Sequence, residues 1–136
     1  LEDITEMDPT WGWAAGAMVS TPSELNTFFQ AVFDGRLLTQ SSIQEMKKGV
    51  DIGSGGRVYG LGLIGTPLSC GGTAWGHGGD IAGYHTRGGV GPDGTAVTVA
   101  VTALPTAIAD QSNLENSAKE KAGKIAEAVD ISLCHK

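Results

Sequence analysis

The 136-residue sequence predicts an α+β fold: an antiparallel sheet covered by a C-terminal helix, with a helical segment before it. Three observations predict it. Apolar residues recur at helical spacing from Leu25 to Phe33, give way to short alternating runs between Tyr59 and Thr102, and return to a helical period after Asp110. The chain reads as a single unit over 1–136, with a helical segment at 1–50 and strands plus the last helix at 57–136. There is no internal repeat and no clear linker.

The first helix has a strong start signal in Thr21-Pro22-Ser23-Glu24. Threonine caps, proline takes a first-turn position that needs no donor, and glutamate reaches back from the third position. Leu25, Phe28, Phe29, Val32 and Phe33 then form one buried face, and Gly35 stops the helix after Asp34. A shorter helix begins between Thr39 and Ser42, buries Ile43 and Met46, and ends at Gly49. Gly53-Ser54-Gly55-Gly56 is a flexible connection without the lysine of a phosphate loop.

Strands are expected at Tyr59–Ile64, Thr73–Gly79 and Ala82–Val90, and the turn Gly91-Pro92-Asp93-Gly94 reverses the chain into Ala96–Thr102. Val97, Val99 and Val101 alternate with Ala96, Thr98 and Ala100, which suits an antiparallel sheet with helices packed on one side. In the last helix Leu114, Ala118, Ile125 and Val129 share a face, with Glu115–Lys119 and Glu120–Lys124 as supporting pairs. Arg87 reads as a solvated strand position, and Lys119, Lys121 and Lys124 as helix surface.

Composition narrows the function classes. Nine basic against fifteen acidic residues give a net charge of −6 with the cations scattered, which argues against a nucleic-acid partner. No apolar run approaches the ~18 residues of a membrane span. Glycine is abundant at 21 residues and concentrates between Gly49 and Gly94, where close-packed strands and loops are expected.

The chemistry is expected in Trp75-Gly76-His77-Gly78-Gly79-Asp80-Ile81-Ala82-Gly83-Tyr84. Glycines inside a strand weaken packing and mark close approach of another backbone or a ligand, so Gly78-Gly79 after a histidine predicts a substrate lying along an exposed edge beside a basic group. Trp11-Gly12-Trp13-Ala14-Ala15-Gly16, Ser20-Thr21-Pro22-Ser23-Glu24-Leu25, Gly35-Arg36-Leu37-Leu38 and Tyr59-Gly60-Leu61-Gly62-Leu63 precede it in order. Taken together these resemble the C-terminal part of the serine β-lactamase-like hydrolases, the family of class C β-lactamases and secreted D-alanyl-D-alanine carboxypeptidases. Leu68-Ser69-Cys70-Gly71 and Cys134 look most like the carboxypeptidase branch.

The resemblance implies an incomplete β-lactamase/transpeptidase-like fold, an acyl-serine intermediate and no cofactor. His77 stands at the basic position of the family's third motif, Gly79 lets substrate backbone approach, and the Asp80 N–H matches an oxyanion-hole donor. Trp11 matches an aromatic wall of the acyl pocket. The expected ligand is an acyl-D-alanyl peptide or a β-lactam-like small molecule. Gly78 departs from the threonine common in carboxypeptidases, and Ile64 stands where close carboxypeptidases place arginine. Esterase or D-aminopeptidase relatives therefore stay open as readings.

Neither Ser-x-x-Lys nor Tyr/Ser-x-Asn occurs in the sequence. The chain is accordingly expected to be the C-terminal part of a longer enzyme, inactive alone and partnered by an N-terminal segment of the same protein. A non-catalytic binding or structural domain on the same scaffold is the alternative. Cys70 and Cys134 form no C-x-x-C, so a disulfide fits better than zinc or a redox dithiol, and implies a secreted, extracellular protein; two buried free thiols are the other reading. No metal is expected at His77, Asp80 and His85, because side chains alternate along a strand.

Overall fold

A computed structural model describes residues 3, 5–53 and 55–135, with Pro9 described by its backbone alone. Helix α1 (Pro22–Phe33) starts as the sequence requires: Thr21 Oγ1 accepts from the Glu24 N–H, and the Glu24 carboxylate accepts from the Thr21 N–H, closing the capping box. Gly35, at φ +88°, follows the C-cap Asp34. Helix α2 (Gln40–Lys47) is capped by Thr39 and buries Ile43 almost completely. Ala31 and Val32 are the buried residues of α1, whereas Phe28 lies half exposed, outside the face assigned to it.

Seven strands follow: β1 (Val50–Asp51), β2 (Val58–Tyr59), β3 (Ile64–Pro67), β4 (Thr73–Gly76), β5 (Gly79–Ile81), β6 (Tyr84–Val90) and β7 (Ala96–Val101). All pair antiparallel, in the order β1-β2-β3-β4-β6-β5 with β7 on β6. The expected strand Tyr59–Ile64 is instead a tight reversal. The Gly60 N–H donates to the Leu63 carbonyl and Gly62 adopts φ +70°, so β2 turns back onto β3. The preceding glycine connection links β1 to β2 as a further hairpin that alternation was too short to reveal; its Ser54 lies outside the described residues.

Helix α3 (Leu114–Cys134) packs Val129 and Leu133 on Leu68, Ala74 and Val97. The neighbouring Thr98 donates its hydroxyl to Asn26 Oδ1 of α1 at 2.8 Å. Adjacent strand residues point to opposite faces. Thus α1 and α3 cover opposite faces of β7, not one side as its small residues led us to expect. Leu114, assigned to the buried face of α3, is 42% exposed, and Lys124 pairs forward with Glu127 at 3.1 Å rather than back with Glu120.

The end of α3 is fastened to the β3–β4 turn twice. Cys70 and Cys134 form a disulfide across a Cα–Cα distance of 5.6 Å. Beside it, the Asp130 carboxylate accepts from the Ser69 N–H at 2.8 Å and from its hydroxyl at 2.5 Å. These two bonds, the hydroxyl's first, hold the Asp130 pKa below its ordinary 3.8.

Two outcomes follow. Reduction of the bridge, which spans a sequence separation of 64, is expected to lower the free energy of unfolding in urea by about 4 kcal/mol; an unchanged midpoint contradicts the fastening. Because folding depresses the Asp130 pKa, its contribution is present above 3.8 and lost as pH falls through the lower folded value. The Tm difference between wild type and Asp130→Ala, present at neutral pH, should shrink in acid below that value, and a pH-independent difference would refute the assignment.

Candidate active site

The site is built on one long register. Ile81 pairs with Tyr84 across the turn Ala82-Gly83, Gly79 with Thr86, and Trp75 with Val90, so β4 and β5 are two parts of one strand laid along β6. Gly83, at φ +80°, supplies the left-handed position of the turn. The ladder is interrupted at His77-Gly78, which is why the strand expected over Thr73–Gly79 ends at Gly76 and resumes at Gly79.

A two-residue turn makes its flanking pair, Ile81–Tyr84, the hydrogen-bonded one, and antiparallel pairs alternate. The Asp80–His85 pair is then of the other kind, with the N–H and C=O of Asp80 directed away from β6. On that side β3 has already ended, because its pairing with β4 begins at Ile64–Gly76. Among the described residues nothing pairs with the outer side of Gly79–Ile81, which therefore have one free edge and are all exposed.

His77 lies beside this edge, exposed, with both ring nitrogens engaged. Its Nδ1 is 2.7 Å from the Gly78 carbonyl and its Nε2 is 3.0 Å from the Tyr59 hydroxyl. A carbonyl can only accept, so Nδ1 carries the proton, and on the neutral ring Nε2 accepts from Tyr59. The rings of Tyr59 and His77 meet edge to face at 5.7 Å. His77, Gly78 and Ile64 line a groove of about 360 Å³ between the sheet and α3. A larger cleft of about 620 Å³, bordered by Phe33, Lys47, Trp75 and Val90, includes neither His77 nor Asp80.

The Asp80 carboxylate is not simply solvated. Arg87 grips it with both terminal nitrogens, at 3.0 and 2.9 Å, and His85 Nδ1 lies 2.5 Å from Oδ1. The hydrogen bonds from Arg87 chiefly hold the Asp80 pKa below the usual carboxylate range, against partial burial, with the charges of Arg87 and His85 adding to the effect. His85 is 2% exposed, and among the described residues neither of its ring nitrogens has an aligned hydrogen-bond partner, though Nδ1 lies against the Asp80 carboxylate. Arg87, read from sequence as solvated, is thus committed to Asp80 across the hairpin.

Among the expected site residues, His77, Gly78, Gly79 and Asp80 come together at the free edge. Trp11 stands 61% exposed on the 3-10 turn Pro9–Gly12, and its indole enters none of the ring or hydrogen-bond contacts of these groups. Cys70 and Cys134 fasten the opposite end of β4 from the motif. Sequence reasoning missed Tyr59, His85 and Arg87 as site residues. The signal lay in Ala82-Gly83: a two-residue turn there sets Asp80 opposite His85 and Gly78 opposite Arg87.

The beta-lactamase family model matches residues 2–128. The chain belongs to that family. Its fold is of the serine-hydrolase type, and similar solved structures agree. A D-amino acid amidase from Ochrobactrum anthropi SV3, complexed with D-phenylalanine, is 28% identical at a TM-score of 0.59, covering 85% of this chain and 38% of the amidase. A second structure of the same amidase gives 27% identity and a TM-score of 0.55 over 81% of this chain and 34% of its own. A D-stereospecific amidohydrolase from a Streptomyces species is 39% identical over 60% of this chain and 25% of its own, with a TM-score of 0.54. The chain therefore spans between a quarter and two fifths of the length of these structures.

For this beta-lactamase-family chain, nitrogen-15 NMR of the neutral imidazole should show His77 protonated at Nδ1. Tyr59→Phe should move the Nε2 resonance and leave Nδ1 nearly in place. A ring protonated mainly at Nε2 contradicts the pair of contacts described.

Proposed function

We propose that this chain is the substrate-docking part of a serine hydrolase that cleaves an amide bond at the carbonyl of a D-amino acid through an acyl-serine intermediate. The observation that carries the proposal is the free edge at Gly79–Ile81 beside His77, in a chain of this family. An extended acyl group docks along that edge, and its carbonyl oxygen accepts from the outward N–H of Asp80. As serine attacks, charge grows on that oxygen; a donor so placed is worth about 3 kcal/mol of transition-state stabilisation. His77, held by Tyr59 and the Gly78 carbonyl, faces the leaving nitrogen and belongs to the proton network that releases the amine. Water then cleaves the ester and restores the serine.

The serine and its lysine are supplied by a segment N-terminal to the residues present here, since Ser-x-x-Lys does not occur among them. Exposed apolar side chains, among them Trp13, Met18, Val19 and Leu61, support such a partner. The D-configured acyl group is supported by the D-amino acid amidase and D-stereospecific amidohydrolase as relatives. A terminal-carboxylate ligand, as in D-alanyl-D-alanine carboxypeptidases, has less support: Gly78 offers no hydroxyl, Ile64 no charge, and Arg87 is held by Asp80. Export is part of the same proposal, supported by the Cys70–Cys134 bridge.

The test uses one polypeptide that joins this chain to its Ser-x-x-Lys segment. Mass spectrometry should show one acyl adduct on the serine, D-phenylalanine amide should be hydrolysed in preference to its L form, and His77→Ala should lower kcat/KM by about 100-fold. Absence of acylation, with the folded polypeptide in hand, would favour a binding domain on the same scaffold instead.

A further inference from the structure

Gly78 and Arg87 face each other across the hairpin. A Cβ built on Gly78 would lie 2.7 Å from Arg87 Nη1, 2.9 Å from its Cδ and 2.7 Å from the Thr86 carbonyl oxygen. The arginine side chain thus crosses directly over the Cα of Gly78 on its way to the Asp80 carboxylate. It also donates from Nη1 to the Thr86 carbonyl at 2.7 Å, so its head is fixed to both strands. His85 closes the same carboxylate from the buried side. The Thr86 hydroxyl adds a bond to the Gly79 carbonyl at 3.2 Å.

These contacts gather where the backbone is otherwise weakly held. Two successive glycines have no side chains to restrain them, the ladder is broken at His77-Gly78, and β5 has a partner on one side only. Something must fix the peptide that carries the Asp80 N–H. The Asp80 side chain, held from behind by Arg87 and His85, does so without occupying the free edge.

We propose that Arg87 and His85 are positioning residues, a clamp behind the strand that orients the Asp80 N–H toward the free edge, and that residue 78 is glycine because the arginine and the Thr86 carbonyl oxygen lie where its side chain would be. The catalytic half of this inference rests on the docking proposed above. The clamp itself rests on the geometry alone. It also bears on the departure at position 78: a side chain there meets both the crossing arginine and the Thr86 carbonyl oxygen.

Two measurements separate the halves. In the 136-residue chain, amide hydrogen exchange is followed by NMR in wild type, Arg87→Gln, Arg87→Lys and Asp80→Asn. The clamp predicts that Arg87→Gln and Asp80→Asn speed exchange at Gly79 and Ile81, whose N–H groups face β6, by about tenfold or more relative to β7, as local opening becomes easier, with Arg87→Lys intermediate. An even change across the sheet, or none, overturns the clamp. Asp80→Asn, at a half-exposed side chain, serves where Arg87→Gln fails to fold.

In the polypeptide carrying the serine, Arg87→Gln should lower kcat by about 100-fold with KM little changed, the loss typical of a misplaced reacting group. Faster exchange with an unaltered kcat would overturn the positioning role and the docking of the acyl oxygen on Asp80, while the clamp stands.

Discussion

A single antiparallel register governs this molecule, set by the turn at Ala82-Gly83 and carried without a slip from Ile81–Tyr84 to Trp75–Val90. A shift of one residue would turn every side chain of β4 and β5 to the other face. Asp80 would lose Arg87 and His85, Ala74 would leave the core under Leu133, and Trp75 would leave the face where Lys47 lies over its ring at 5.6 Å. The register also decides which peptide groups face outward once β3 has ended.

Packing and chemistry use opposite ends of the same strand. β4 runs between β3 and β6, and its Thr73 end is fastened through the β3–β4 turn to α3 by the disulfide and the Ser69–Asp130 bonds. At the Gly79 end one neighbour is gone and the residues are exposed. Glycine serves both ends differently. A Cβ at Gly76 would lie 2.4 Å from the Gly88 carbonyl oxygen, so glycine there lets two backbones pack closely, whereas Gly79 meets nothing nearer than the Thr86 hydroxyl at 3.2 Å and keeps the edge accessible.

Much of this was legible in the sequence, for identifiable reasons. The capping box at Thr21 and the stop at Gly35 are local codes, satisfied by residues within one turn, and the structure follows them. His77, Gly78, Gly79 and Asp80 could be read because they are contiguous. What escaped were relations across strands. Arg87 seemed solvated because nothing in its own neighbourhood pairs with it; its partner is seven residues earlier, on the other arm of the hairpin. Tyr59 lies 18 residues from His77 and meets it only because β2, β3 and β4 are consecutive neighbours in the sheet. The helices' opposite faces were obscured by small residues at Ala96 and Ala100, which can support either a helix or solvent.

The central claim is that the Asp80 N–H faces the free edge and receives the oxygen of the substrate carbonyl. The most direct measurement is a crystal structure of the serine-bearing polypeptide with a D-aminoacyl phosphonate on its serine, which fixes a tetrahedral oxyanion in place. The account predicts an anionic oxygen within hydrogen-bond reach of the Asp80 nitrogen, at about 2.7–3.1 Å, with Arg87 still across Gly78. An oxygen held by other donors, with the Asp80 N–H turned toward β6, would contradict it.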